Sequence, residues 1–283
     1  MTRIGWAAGA AYLDDPDLQH LHRAADANGL DSETVVWDDP DVDWGGFDAV
    51  VVRSCWDYVP RREEFLDWSG RVPHLLNDAA TIAWNTDKHY LRELEAAGVR
   101  IVPTAWSVQD VDGLPAADEW VVKPTVSAGA ADTARWRDAA AAVEHGRRLL
   151  AAGRATMTQP YVASVDSDGE TGLLFFGGRF SHAFRKGALL ADGEDPRTLP
   201  ELKEDIRARE ASPEQVAFGA DVLDAASSLL PRVPLYARVD IVRAPDGTWQ
   251  LMELELTEPS FFLQHTDTGA DAFVKALLER LEA

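Results

Sequence analysis

The chain has 283 residues, 46% of them hydrophobic, and carries 48 Asp and Glu against 27 Lys and Arg, a formal charge of −21. That balance argues against nucleic-acid and anionic-membrane partners, which both ask for a basic face, and the single cysteine, Cys55, excludes a disulfide framework and a Cys-rich metal site. The length and apolar content allow one large core or two to three small ones.

Residues 3–8 read as a strand. The apolar run from Ile4 to Leu13 follows one basic residue and precedes Asp14-Asp15-Pro16-Asp17 without a clear cleavage box, so a buried first strand and its turn fit better than a secretory signal. No segment reaches the ~18 apolar residues of a membrane span, and the chain is expected to be cytoplasmic. Helical spacing follows over 17–28, closed by Gly29. Residues 33–37 read as a strand. Over 48–53 a continuous apolar run is bounded by the polar residues Asp48 and Arg53, as in a parallel strand covered on both faces. A helix is expected over 62–69. This alternation predicts a small open α/β unit whose ligand crevice lies at the strand C-termini, where Arg53-Ser54-Cys55-Trp56-Asp57-Tyr58 falls.

A helix over 87–97 ends at Gly98. Then come a strand over 120–124, a stretch of small residues over 125–131, a helix over 138–152 and a strand over 156–161. Strands over 172–176 and 179–184 are joined by Gly177-Gly178, a hairpin signal. A polar excursion spans 192–212, and a helix 213–230. Two last strands, 235–242 and 249–256, flank the turn Ala244-Pro245-Asp246-Gly247. A helix over 271–281 closes the chain. The expected division is 1–85, 86–158 and 159–283.

The strongest constellation is C-terminal. Side chains at i and i+2 share a face of a strand, so Arg238 and Asp240 on one strand and Glu253 and Glu255 on its partner fall together. Three carboxylates on one face repel unless a cation neutralises them. Oxygen ligands suit Mg²⁺, and Arg238 beside them suits a phosphate oxygen. A solvated, salt-bridged hairpin face explains the same alternation. The chain has only five lysines. Lys123 precedes the small-residue loop, whose backbone N–H groups and Ser127 hydroxyl suit phosphate; ordinarily a lone lysine at a strand end is solvated. Lys88 follows Asn85 and Thr86, which read equally as helix caps. No Walker loop or dinucleotide fingerprint occurs. Cys55 reads as packing material, the seven histidines lack zinc spacing, and His182 reads as structural.

Taken in order, Lys88, Lys123-Pro124 with its loop, Gln159-Pro160-Tyr161, Asp168-Gly169-Glu170, the run Phe180 to Lys186, Arg238-Val239-Asp240 and Glu253-Leu254-Glu255 resemble the ATP-grasp ligases across essentially the whole chain. Arg53-Ser54-x-Trp56-Asp57-Tyr58, Trp84-Asn85-x-Asp87-Lys88 and Glu253 through Ser260 resemble more closely the small group that includes the O-ureido-serine cyclo-ligase of cycloserine biosynthesis.

The resemblance implies a fold: an α/β N-terminal Rossmann-like domain, a small central α+β lid domain and a C-terminal antiparallel-sheet domain. It implies ATP between the last two. Lys88, Lys123, Ser127 and Gly129 would face the phosphates, Gln159, Pro160, Tyr161 and Val162 the adenine, and Glu170 the nucleotide or substrate. Asp240, Glu253 and Glu255 would hold Mg²⁺, with Mn²⁺ as an alternative. Arg238 and Lys186 would be catalytic. Arg53, Ser54, Trp56, Tyr58, Glu258 and Ser260 would meet an amino-acid-like small molecule. A carboxylate would be phosphorylated and a nitrogen would displace phosphate, within one molecule or between two. Competing readings are a non-catalytic nucleotide-binding regulator and a carboxylate–metal hydrolase; a homodimer is left open. Two departures stand out: Glu255 replaces the usual Asn of the metal motif, and 187–209 lacks the relatives' Asp-Phe-Arg, for which Arg207 and Arg209 are the substitutes at hand.

Overall fold

A computed structural model describes residues 1–190 and 205–283. The first sheet takes its strands from β1 (Arg3–Ala8), β2 (Asp31–Val36), β3 (Ala49–Val52) and β4 (Leu75–Leu76). All pair in parallel, in the order β2-β1-β3-β4. Every residue of β3 is buried, as a strand covered on both faces requires. α1 (Pro16–Ala27) has proline in its first turn and Asp15 as its cap, and the chain leaves it through Gly29 at φ +72°. α2 (Arg62–Ser69) has the expected bounds. α3 (Ala79–Asn85) has no counterpart in the sequence reading. Its seven residues are too few to show a helical stripe, and capping by Asp78 plus burial of Thr81 and Ile82 hold it.

α4 (Tyr90–Ala96) begins later than expected because 87–89 form a turn. Asp87 accepts from the His89 N–H, and the Lys88 N–H goes to Thr125 O at 2.8 Å, so both amides are diverted from the helix. The second sheet is antiparallel. It contains β5 (Ala105–Trp106), β6 (Trp120–Pro124), β7 (Ala134–Trp136) and β8 (Thr156–Pro160), in the order β5-β8-β6-β7, backed by α5 (Ala139–Ala151).

After a short α6 (Ser164–Ser167) the third sheet begins with β9 (Glu170–Phe176) and β10 (Arg179–Lys186). Their turn residues Gly177 and Gly178 both sit at positive φ, which a two-residue hairpin of this hand demands. β11 (Ile206–Arg209) is a strand where the sequence reading expects a polar excursion. It pairs with β10 at the sheet edge, where the residues Ile-Arg-Ala-Arg need no second apolar face. Residues 192–204 of that excursion lie outside the described residues. α7 (Pro213–Leu229) carries a full capping box on Ser212 and Gln215. β12 (Tyr236–Arg243), β13 (Trp249–Glu255) and α8 (Gly269–Glu282) complete the chain, and the sheet runs β11-β10-β9-β12-β13.

Period-two alternation in β9 feeds two cores. Leu174 and Phe176 pack with Ile4, Trp6, Tyr236 and Phe273 toward the N-terminal sheet, and Leu173 and Phe175 pack with Leu91, Val222 and Val239 toward α4 and α7. Gly172 belongs to this strand because a Cβ there would lie 2.2 Å from Phe184 Cζ.

The outer side of β13 is bonded along its length. Leu251 exchanges backbone bonds with Arg100 and Val102, Tyr90 Oη accepts from Leu254 N at 2.9 Å, and the Asn85 side chain meets Leu254 O (2.8 Å) and Leu256 N (2.7 Å). Asn85 is therefore a tether to β13 rather than a helix cap. Among the described residues no helix is long and apolar enough to cross a membrane.

Candidate active site

A cavity of about 1650 Å³ lies between the second and third sheets, with the C-terminal ends of the first sheet at one side. Single ligands commonly fill ~300–1,000 Å³, so there is room for a nucleotide and a second molecule. Its lining contains Trp56, Tyr58, Lys88, Lys123, Ser127, Gly129, Gln159, Pro160, Tyr161, Val162, Glu170, Lys186, Arg238, Glu253, Glu255, Glu258 and Ser260. Residues up to 253 positions apart in the sequence thus converge on one space, the separation of Tyr12 and His265.

Strand pairing puts Arg238 opposite Glu255 and Asp240 opposite Glu253, with a bulge directly after Asp240. Arg238 binds Asp240 with two nitrogens (Nε to Oδ1 2.9 Å, Nη2 to Oδ2 2.8 Å), and Nη2 also meets Glu255. Asp240 is buried beneath this guanidinium and does not line the cavity, whereas Glu253 and Glu255 do. Among the described residues no three His, Cys, Asp or Glu side chains are grouped to hold a metal ion. Two carboxylates on the cavity wall with Arg238 between them and Asp240 are the donor set that the site offers.

Lys88 reaches Glu253 Oε1 at 3.0 Å and Ser127 O at 2.9 Å, so it joins the small-residue loop to β13. Lys123, next to last in β6, lies beside it, and Lys186 faces Glu170 across β9 and β10. These charges decide the acidities. Burial pushes Glu253 up, but Lys88 and Lys123 outweigh it and hold the group at about 2. Burial raises Glu255 to about 8; Arg238 opposes, and the nearby Glu253 and Asp240 reinforce the rise. Burial likewise lifts Glu258 to about 7 against a hydrogen bond from Tyr58. Glu170 is raised and Lys123 lowered, both chiefly by burial. The two glutamates, two positions apart, are thus pushed to opposite sides of the usual carboxylate value, Glu253 down by its lysines and Glu255 up by burial. A divalent cation would let both ionise, so the donors fit a hard metal ion.

The loop after β6 has Gly129, Ala130 and Asp132 at positive φ, and Ser127 Oγ donates to Pro124 O. At the far wall Gln159 Nε2 donates to Thr104 Oγ1 at 3.0 Å. The Tyr161 ring lies under the Arg135 guanidinium at 3.5 Å and its hydroxyl donates to Asp166. At the N-terminal side Trp56 Nε1 donates to Glu258 O at 3.0 Å, and Tyr12 packs edge-on against Trp56.

Arg53 and Ser54 do not line the cavity. Arg53 follows a fully buried strand and lies among Tyr236, Phe261 and Asp17; Ser54 Oγ donates to Tyr12 O. Cys55 is buried, its Sγ donates to Ala7 O, and burial pushes the thiol up, so it serves packing. His182 shares a hydrogen bond with Phe261 O inside the core. Arg209 binds Thr171 and Asp168 O, Arg207 binds Asp205, and neither lines the cavity. Tyr12, Phe262, Gln264 and His265 line it without having been singled out. The rule that ligands sit beyond strand C-termini also covers the loop after β1 and so could have found Tyr12; the others carry no local signal.

Three sheets around such a cleft make the ATP-grasp architecture, and the chain is an ATP-grasp ligase. The fold matches the ATP-grasp ligase PsnB complexed with minimal precursor, Mg and ADP (TM-score 0.65, 15% identity, covering 99% of this chain and 98% of that one). Residues 4–77 match the family model for the N-terminal domain of D-cycloserine synthetase DcsG. Over 286 aligned positions the chain is 40% identical to the cycloserine biosynthesis protein DcsG of Streptomyces lavendulae, covering 95% of each. The crystal structure of D-cycloserine synthetase DcsG superposes with a TM-score of 0.91 at 37% identity, covering 99% of both chains. The chain belongs to the D-cycloserine synthetase family of ATP-grasp ligases.

Proposed function

We propose that this ligase couples ATP hydrolysis to ring closure of an amino-acid-like substrate, joining its carboxylate to a nitrogen of the same molecule. The observation that carries this reading is a cleft with cations at one end and an aromatic and carboxylate pocket (Trp56, Tyr58, Glu258) at the other, in a chain matched end to end by a cycloserine biosynthesis protein.

ATP would lie with its phosphates toward Lys88, Lys123 and the loop at Ser127 and Gly129, and its adenine toward Gln159, Pro160, Tyr161 and Val162. Mg²⁺ held by Glu253 and Glu255, with Asp240 behind them, would neutralise charge on the transferring phosphates. The substrate carboxylate attacks the terminal phosphate to give an acylphosphate. Arg238 and Lys186 stabilise the charge that develops during transfer. Nitrogen then displaces phosphate and the ring closes. Most of this work is positioning and neutralisation, which matches a site of lysines, arginine and carboxylates and a buried Cys55. The second sheet serves as a lid that keeps water from the acylphosphate.

The test is a panel of amino acids that includes O-ureido-serine, incubated with ATP and Mg²⁺. ADP and phosphate should appear with a product lighter than its single parent. AMP and pyrophosphate would refute the mechanism, and a condensed product heavier than either amino acid would refute the cyclisation.

A further inference from the structure

Residues 258–263 bring Glu258, Ser260 and Phe262 to the cavity wall, yet no strand or helix orders them until Leu263. Phe262 even sits at φ +51°, in the left-handed region that a side chain disfavours. A side chain from the start of the chain holds this loop. Asp17, in the first turn of α1 and 2% exposed, accepts three backbone N–H bonds in succession. Its Oδ2 takes Phe261 N (2.6 Å) and Phe262 N (3.2 Å), and Oδ1 takes Leu263 N (2.7 Å). Arg53 is 1% exposed and lies 3.7 Å from Asp17 Oδ2. It donates to Pro259 O at 2.8 Å and lays its guanidinium 3.6 Å from the centre of the Phe261 ring. Neither residue lines the cavity.

We infer that Asp17 and Arg53 are positioning residues: this buried pair sets where Glu258 and Ser260 stand against the amino-acid-like substrate. The inference rests on the reading that this end of the cleft takes that substrate. The physical reason lies in the donor count. Three consecutive N–H groups need two acceptor oxygens with charge behind them, and a carboxylate supplies both. An amide supplies one and turns an N–H against the rest. Arg53 would then also lose charge compensation in a place water does not reach. The effect should fall on one ligand, because the loop belongs to the substrate end and not to the lysine end.

Asp17→Asn should raise KM for the amino-acid substrate about tenfold or more, the equivalent of one lost charged hydrogen bond, and leave KM for ATP within about twofold. Hydrogen exchange of amides 261–263 should quicken while the strands keep their protection. Arg53→Lys, which keeps the buried charge but not the guanidinium's combined bond and ring contact, should move both readouts the same way by less. It carries the test if Asp17→Asn does not fold. A variant with a lower active fraction but both KM values unchanged, or with unaltered exchange at 261–263, would overturn the proposal. Exchange is read without substrate, so it decides the clamp even if the wild type turns over no member of the panel; that outcome would overturn the substrate reading instead.

Discussion

Replacing Glu255 by glutamine should change how stability depends on pH, and by an amount that follows from the site. In the ligand-free protein Glu255 is raised from 4.5 to about 8. A folded state that binds a proton more tightly than the unfolded chain gains stability below the unfolded value, and the gain is lost as pH rises through the folded one. Here the window runs from about 4.5 to about 8. Glu258, raised to about 7, acts in the same sense and finishes earlier. Glu253, held at about 2, contributes stability that is already complete above 4.5 and stays constant through the window. Two pH units below a value of 8 correspond to roughly 3 kcal/mol, and the Glu255 side chain is 27% exposed, which trims this to roughly 2 kcal/mol. For a chain of this size that amounts to a fall in Tm of about 5 °C between pH about 6 and about 9. The assay is thermal melting in chelator across that range. Wild-type protein should lose these 5 °C plus the smaller share that Glu258 adds, Glu255→Gln should lose only the Glu258 share, and Mg²⁺ should flatten the wild-type profile by favouring the ionised pair. An equal decline in both proteins would refute the assignment of the raised acidity to Glu255. A wild-type decline that Mg²⁺ leaves unchanged would refute the placing of the metal there.

Arg238→Lys keeps the charge but cannot grip Asp240 with two nitrogens and still reach Glu255, so kcat should fall about a hundredfold in steady-state assays while nucleotide KM moves far less. Lys123→Met removes a buried cation whose charge burial already disfavours. Calorimetry should show nucleotide binding weakened at least about tenfold, with the circular dichroism spectrum intact. Gly172→Ala puts a methyl group 2.2 Å from Phe184 Cζ and should cost about 1–3 kcal/mol in denaturant titration, partly restored by Phe184→Leu on top of it.

What could be read from the chain and what could not divide by distance along it. Arg238, Asp240, Glu253 and Glu255 were placed on one face because strand side chains alternate and their two strands are joined by a short turn; both facts are local. The parallel first sheet was visible in the unbroken apolar run of β3. Arg53 falls at a strand end, where ligand crevices lie, and the family resemblance assigns it to the substrate. Its burial is set by Phe261 and Pro259, over 200 residues later, and no local pattern announces that. Asn85 was read as a cap for the same reason, since its partners are Leu254 and Leu256. β11 escaped because an edge strand can be polar, and α3 because seven residues are too short to show a period. The cover of Arg238 over Asp240 depends on side-chain geometry that spacing does not carry.

The bonds along the outer side of β13 have a consequence for fidelity. A sheet ending in an open strand invites a foreign strand to add itself, and a strand held from one side only can slide by one residue. Such a slide would send Glu253 and Glu255 to the apolar face and turn the core-facing Leu254 side chain toward the cleft. Here the backbone at 100–102, the Tyr90 hydroxyl and the Asn85 amide occupy that side, acting together as a surrogate neighbour. The strand is thus closed to intruders and locked in phase, so the two carboxylates keep a fixed spacing from Arg238. A segment just after the first sheet thereby guards the charge pattern that the last hairpin presents.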